Sequence, residues 1–326
     1  MDNLTHSLVG ALLGQAGLKR KTGLAMPALV IGANLPDVDA ACFFWLEGVE
    51  HLGFRRGITH GPPAMVLLPL MLAGLLYGFD RWQTGRGKRP EGRLPVSFKW
   101  LFLLSFIGCL THPAMDWLNV YGIRLLEPFS SQWFYGDTLF IIDVWLWALM
   151  GFATWFSLRR EKKTGGDWRK PARIAIAASL AYIGVNGAIT HASKVSFLKT
   201  TNFNEVIANP LPLTFWQREM VFDADGTVYM GMAQQDWSAF GGLSDETVYL
   251  LPQGPSCLGP EELRKYAPAD KQLAAFLFWS RSPYVVPDRK GGRATIRDGR
   301  FASPMVGDRF SHSIKVPAGA ENCGFD

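Results

Sequence analysis

Long apolar runs dominate the first two thirds of the chain and are missing from the last third. Residues 63–79, 100–118, 138–158 and 174–190 are each apolar over about the 20 residues that a helix needs to cross a bilayer. Two shorter apolar stretches come first, 4–17 and 24–45, and the polar segment 34–39 interrupts the second. Short or broken hydrophobic helices are tolerated where they pack inside protein or line a polar cavity. From about Lys194 onward, Pro, Gly, Asp and Thr punctuate short β-prone runs. Residues 220–230 predict two strands joined by an Asp-Gly turn. The pattern therefore predicts a mainly α protein. A polytopic transmembrane helix bundle spans residues 1–193, and a small β-rich extramembrane domain spans 194–326.

Composition sharpens this picture. Hydrophobic residues make up 48% of the 326 and charged residues 19%, an average that hides the split between the two parts. The formal net charge of +5 does not point to nucleic acid, because the basic residues sit in short loops between apolar runs. One such loop carries Lys19, Arg20 and Lys21, and the next carries Arg81, Arg86, Lys88, Arg89, Arg93 and Lys99. A third carries Arg159, Arg160, Lys162, Lys163, Arg169, Lys170 and Arg173. Anionic headgroups and the positive-inside rule place all three in the cytoplasm, with both termini outside. The apolar N-terminus lacks a basic region and carries Asp2, so it does not read as a cleaved signal peptide. Cys42 and Cys109 read as packing residues, while Cys257 and Cys323 could pair if their domain is extracytoplasmic. No C-x-x-C occurs, which argues against thiolate metal ligation.

That orientation gathers the intramembrane polar residues on one face. His6 falls at the outer end of the first segment, and Asp37 and Asp39 near the outer end of the second. His60 precedes the third, His112 and Asp116 close the fourth, and Asp137 and Asp143 open the fifth. Ionisable groups within membrane segments are costly and by default suggest function. His112 and Asp116, four apart, share a helical face and can ligate one metal, although a hydrogen-bonded pair on a capped helix has the same spacing. Asp37 and Asp39, two apart, do not share a face, so their jobs should differ. One could ligate a metal or act as general base on its water, and either could simply cap a Pro-containing turn. His60 follows a glycine turn, and His6 has Asp2 one turn earlier as an orienting carboxylate. His51, in a loop, His191, at the end of segment six, and His312, in the β-rich domain, are weaker candidates. Three histidines and at least two aspartates form the N/O donor set of zinc or manganese hydrolases.

These motifs, taken in order, resemble a known family. The N-terminal D-x-x-T-H, N-L-P-D-V-D at 34–39, R-G-I-T-H at 56–60 and H-x-x-x-D-W-L-N-x-Y-G at 112–122 are similar to the YdjM/YfhP-type inner-membrane proteins. The run continuing through Arg124, Trp133, Asp137 and Asp143 matches as well. The resemblance implies a membrane-bound metal-dependent hydrolase. The order of His, Asp, His and H-x-x-x-D is also distantly similar to zinc-dependent phospholipase C and the S1/P1-type nucleases. That second likeness implies one metal held by His60, His112 and Asp116, and a second helped by His6 and bridged by Asp116. Asp37 or Asp39 would orient the attacking water; with Asp37 in that role, held rigidly after Pro36, Asp39 would be a further ligand or the partner that orients a histidine. The His…H-x-x-x-E set that completes those clusters is absent, and Asp137 or Asp143 is the candidate substitute.

The sequence thus predicts a hydrolase of the bacterial inner membrane, with its site on the extracytoplasmic side. The cofactor is a divalent metal, by its donor set Zn2+, and the substrate a lipid-linked ester or phosphoester; no nucleic acid is involved. Arg55, Arg56 and Arg124 are near enough in sequence to the ligands to contact a phosphate, or else face the headgroups. Two other classes remain open at this stage, a transport or ion-relay protein and a non-catalytic membrane scaffold.

Overall fold

The computed structural model describes residues 1–163, 167–200, 206–224, 227–236, 242–250, 259–288, 292–302 and 307–315. Cys257, Cys323 and the Asp-Gly turn at 225–226 lie outside the described residues. The helices of the first two hundred residues are α1 (Asn3–Gln15), α2 (Ala25–Asn34), α3 (Glu50–Phe54), α4 (Pro62–Gly85), α5 (Phe98–Trp117), α6 (Val144–Lys163) and α7 (Arg169–Thr200). The chain divides into two compact units. One is Met1–Asp39 with Arg56–Gly187, and the other is Ala40–Arg55 with Ala188–Asp326.

Three helices of the first unit, α1, α4 and α6, start for a local reason. Asp2 caps α1 by accepting the N–H groups of Leu4 and Thr5 at 2.9 and 3.1 Å. Two prolines open α4, where a missing N–H costs no intrahelical bond. Asp143 caps α6 through the N–H groups of Trp145 and Leu146. Among the described residues, four stretches are long and apolar enough to cross a membrane: Ala25–Phe44, Pro62–Gly85, Phe98–Trp117 and Arg169–Lys199. The first of these is α2 continued by the 3-10 helix Leu35–Phe44. The interrupted stretch is therefore helical throughout, and its polar segment falls where the winding tightens. Residues 138–158 behave differently from expectation, because the helix begins only at Val144. The apolar residues before it are drawn back onto α5, with the N–H groups of Thr138 and Leu139 both donating to the Leu118 carbonyl. With 13 residues at about 1.5 Å each, α1 is shorter than a bilayer is thick.

Glycines set how closely these helices pack. A Cβ at Gly10 would stand 2.7 Å from the Leu29 carbonyl oxygen, and one at Gly108 would stand 2.6 Å from that same atom. The backbones of α1, α2 and α5 therefore touch, as small residues permit in membrane bundles. Below this contact Ala28, Leu29, Ala73, Leu101 and Leu104 form one apolar core. Leu12, Leu139, Leu146, Met150 and Ala175 form another.

The second unit contains a four-stranded antiparallel meander of β1 (Val206–Pro210), β2 (Gln217–Ala224), β3 (Thr227–Asp236) and β4 (Gly242–Leu250). α8 (Pro260–Arg264) and α9 (Lys271–Trp279) follow. β5 (Pro283–Asp288), β6 (Arg293–Asp298) and β7 (Ser311–Lys315) then pair as a three-stranded sheet. The strands expected within 220–230 are the facing ends of β2 and β3, paired Ala224 to Thr227. The two compact units part at Gly187/Ala188, and the segment Ala40–Arg55 joins the second unit. The physical reason is that Gly53 of α3 lets that helix lie directly on Ala275 of α9. A buried pair organises this unit. Asp298 accepts from Arg300 Nε at 2.8 Å, and the guanidinium stacks on Trp279 at 4.6 Å. Burial alone would raise the Asp298 carboxyl, but the Arg300 charge and its hydrogen bonds hold it below the ordinary value.

Candidate metal centre

Four elements of the first unit bring their polar side chains to one buried point. α1 contributes His6, and the 3-10 helix after α2 contributes Asp37 and Asp39. The short turn Ile58–His60 contributes His60, and the last turns of α5 contribute His112 and Asp116. His6, His60, His112 and Asp116 are all at most 1% exposed. The rings of His6 and His112 stack at 3.8 Å between centroids, and His60 leans on His112 at 5.0 Å.

Each ring is aimed by its neighbours. His112 Nδ1 lies 2.7 Å from the Ala33 carbonyl, so that nitrogen carries the proton and Nε2 turns its lone pair to the cluster. The glycine contact of α5 on α2 is what brings that carbonyl within reach. Thr59 Oγ1 stands between His60 Nδ1, at 3.0 Å, and Asp39 Oδ2, at 3.2 Å. Asp39 Oδ2 also accepts the Arg56 N–H at 2.8 Å and lies 3.7 Å from His60 Nδ1. Of the places expected for Asp39 (ligand, base or partner of a histidine), the structure shows the last: it sits behind His60 and not among the grouped donors. Arg56 adopts φ +56°, a conformation uncommon outside glycine. Its side chain returns to the cluster, placing Nε 3.0 Å from Asp116 Oδ2. Nη1 donates to the Asn119 side chain at 3.0 Å and the Gly122 carbonyl at 3.2 Å, and the guanidinium covers Tyr121. The terminal ammonium of Met1 pairs with Asp116 Oδ1.

The spacings between the donors identify what they suit. His112 Nε2 and His60 Nε2 lie 3.5 and 3.6 Å from Asp116 Oδ2, and His6 Nε2 lies 3.4 Å from Asp116 Oδ1. Asp37 Oδ1 lies 3.8 Å from His112 Nε2. These separations exceed the roughly 3.2 Å limit of a good N–H···O bond. The three separations to Asp116 match instead the edges of a tetrahedron whose corners are about 2.0–2.2 Å from its centre, roughly 3.3–3.6 Å, and the Asp37 separation lies just beyond that range. Neither ring nitrogen of His6, nor His112 Nε2, makes a hydrogen bond within the described residues. Two overlapping donor groups result, His60–His112–Asp116 and His6–Asp37–His112, with His112 common to both. The donor set fits a divalent transition metal.

Other sequence candidates lie elsewhere. Asp143 is engaged in capping α6 and accepts from Tyr182, and Asp137 is buried in a left-handed turn; neither belongs to the donor groups. Arg124 pairs with Glu127 at 2.8 Å and stacks on Trp133, while Arg55 lies over Phe43. In the second unit, His51 contacts the Gly48 carbonyl, His191 is exposed and His312 pairs with Asp270. Reading the sequence did not single out Asn119 or Thr59. Asn119 lies one turn beyond Asp116 and Thr59 beside His60, so proximity to ligands in sequence was the available signal.

Fold and site together define a class, the multi-pass membrane protein with a buried His/Asp cluster near its helix ends. Within that class the chain belongs to the YdjM inner membrane protein family, whose sequence model matches residues 1–193 and so covers every residue of the cluster. The chain is also similar to the uncharacterized protein YfhP of Bacillus subtilis (strain 168), 28% identical over 141 residues. That match covers 41% of this chain and 39% of YfhP, so the chain spans about two fifths of the length of that relative. No solved structure matches. The likeness to zinc phospholipase C and S1/P1-type nucleases gains no support from these matches, and no role assigned below rests on it.

Proposed function

We propose that this cluster holds a divalent metal, zinc by its nitrogen and oxygen donors, and that the protein is a metal-dependent hydrolase. The observation that carries the reading is the set of 3.4–3.8 Å separations among buried imidazole and carboxylate atoms, too long for hydrogen bonds and suited to shared ligation. The substrate is an ester or phosphoester on a lipid-linked molecule, because the cluster lies within membrane helices. The basic loops after α4 and α6 support an extracytoplasmic position for it, by the positive-inside rule.

His60, His112 and Asp116 hold the ion, and His6 and Asp37 extend the site through His112. A bound divalent cation supplies Lewis acidity toward a substrate oxygen and toward water. Asp37 is the proton acceptor: its Oδ1 faces the open side of His112 Nε2 and takes a proton from the attacking water. Asp39 positions His60, both directly and through the Thr59 hydroxyl. Arg56, fixed by Asn119, Gly122 and Tyr121, holds the Asp116 carboxylate in place.

The test is metal analysis of the full-length protein purified in lipid nanodiscs, beside His112→Ala, with hydrolysis of phospholipid and polyprenyl-phosphate analogues assayed in parallel. Stoichiometric zinc in the wild type, lost in the variant together with any hydrolysis, is expected. Equal metal content in the two proteins would refute the site.

A further inference from the structure

We propose that the first unit contains a binding slot for a fatty-acyl chain, on the face of α5 turned away from the metal ligands. An apolar cavity of about 190 Å³ lies between α1, α5, α6 and α7. Leu12, Leu146 and Met150 close it on the inside, and Ala114 and Met115 of α5 form one wall. This volume exceeds the roughly 150 Å³ of an engineered apolar cavity that admits benzene. Its mouth lies at Leu180, which lines it while remaining 64% exposed, on a helix long and apolar enough to cross the bilayer. In an inner-membrane protein such a mouth opens onto lipid tails, so the occupant is a hydrocarbon chain entering sideways.

A second observation narrows the chemistry. Ser179 lines the same cavity, is 9% exposed, and its hydroxyl has no hydrogen-bond partner within the described residues. A buried hydroxyl left without an acceptor is costly. The carbonyl oxygen of an acyl ester supplies that acceptor, whereas an isoprenoid tail does not. The slot also adjoins the candidate catalytic cluster along the chain: Thr111 and Met115 line it, and His112 and Asp116 follow each of them about 100° further round α5. Resting on the hydrolase reading, the slot assigns the substrate to ester-linked acyl lipids.

The experiment separates the two claims, because lipid occupancy is read without hydrolysis. Full-length protein in nanodiscs is irradiated with a phosphatidylcholine analogue carrying a diazirine midway along one acyl chain, and labelled peptides are mapped. Label concentrated on α5 around Ala114–Met115 and on α7 around Ser179–Ile183 is expected, in the wild type and in His112→Ala alike. Ser179→Leu, which fills the slot, should cut that label about ten-fold, the loss expected when two buried methylenes are excluded. Ala114→Leu is the second filling variant, should Ser179→Leu unfold on heating scans. A dialkyl ether analogue should label the slot less than the ester. Label spread evenly over lipid-facing positions such as Leu75 and Phe152, or unaffected by both filling variants, overturns the slot. Slot labelling without metal in the wild type would leave the slot standing and refute the hydrolase.

Discussion

Replacing Gly108 by alanine tests the link between helix packing and ligand orientation. The new Cβ would meet the Leu29 carbonyl oxygen at 2.6 Å and the Ala33 nitrogen at 3.0 Å. Relaxed C···O contacts lie at about 3.3–3.6 Å, so α2 and α5 must part by roughly 0.7–1 Å. Overpacking of this kind costs about 1–3 kcal/mol. His112 lies four residues on, along the same face, and its 2.7 Å contact to the Ala33 carbonyl lengthens beyond hydrogen-bonding range. The bond itself contributes about 1 kcal/mol, but its larger role is to fix the ring, and losing such a partner typically weakens a metal site about 10–100-fold. Gly74 provides the control, because a Cβ there meets nothing within 4 Å. Gly74→Ala should be neutral or gain up to about 1 kcal/mol as a helix-interior glycine replacement. The assay is thermal unfolding of the full chain in nanodiscs, with zinc affinity measured by competition against a chromophoric chelator. If Gly108→Ala matches Gly74→Ala in both melting temperature and zinc affinity, the packing does not orient His112 and the reasoning fails.

Asp116→Asn should abolish zinc retention, since one carboxylate serves His6, His60 and His112, whereas Asp37→Asn should keep most of the metal and lose about 100-fold or more in rate. Both are read by metal content and turnover on whichever lipid ester is hydrolysed, and an Asp37→Asn enzyme of full activity removes Asp37 as the base. Arg56→Lys should raise KM little while lowering metal affinity, because a lysine cannot reproduce the simultaneous contacts to Asp116, Asn119 and Gly122. The second unit should lose stability in acid. The Asp298 carboxyl is held below its ordinary value, so its contribution is full above that value and disappears as pH falls through the lower, folded one. Trp279 fluorescence between pH 7 and pH 2.5 reports this, and Arg300→Met should remove the acid sensitivity.

Much of the candidate site was legible because chemistry and topology could be counted separately. Basic loops fixed which helix ends lay together, and every intramembrane histidine and aspartate later found in the cluster fell at those ends. Pairing at four residues was enough to join His112 to Asp116. What stayed illegible depended on contacts between distant segments. Nothing in the sequence marks Ala33, whose carbonyl sets the tautomer of His112, because a backbone atom has no side-chain signature. The retreat of the α6 start to Val144 was hidden for a similar reason. Residues 138–142 are as apolar as a helix, but hydrogen bonds from Thr138 and Leu139 to Leu118 hold them against α5. The β content of the second unit was legible from its short, turn-punctuated runs. Segment 40–55 belongs to it through a helix contact at Gly53 that no local pattern reveals.

The split roles of Asp37 and Asp39 follow from the tightening of the helix between them. On a regular α-helix, positions two apart point about 200° away from one another, so at most one could address the cluster. The stretch Leu35–Phe44 is wound as a 3-10 helix, with about three residues per turn, which turns them about 240° apart, or 120° by the shorter way round. Both carboxylates can then flank the same histidine pair from different sides. Asp37 reaches His112 Nε2 at 3.8 Å, and Asp39 reaches His60 Nδ1 at 3.7 Å. Pro36 favours this tighter path at the start of the segment, since it offers no N–H to an α-helical bond with Gly32. The N-L-P-D-V-D motif thus encodes a change of helical pitch as well as two carboxylates. Pro36→Ala, which permits α2 to continue regularly, should draw Asp39 away from His60 and lower metal affinity without removing any ligand. Unchanged affinity in Pro36→Ala would show that the tertiary contacts of Asp39 with Arg56 and Thr59 suffice to hold the pitch without the proline.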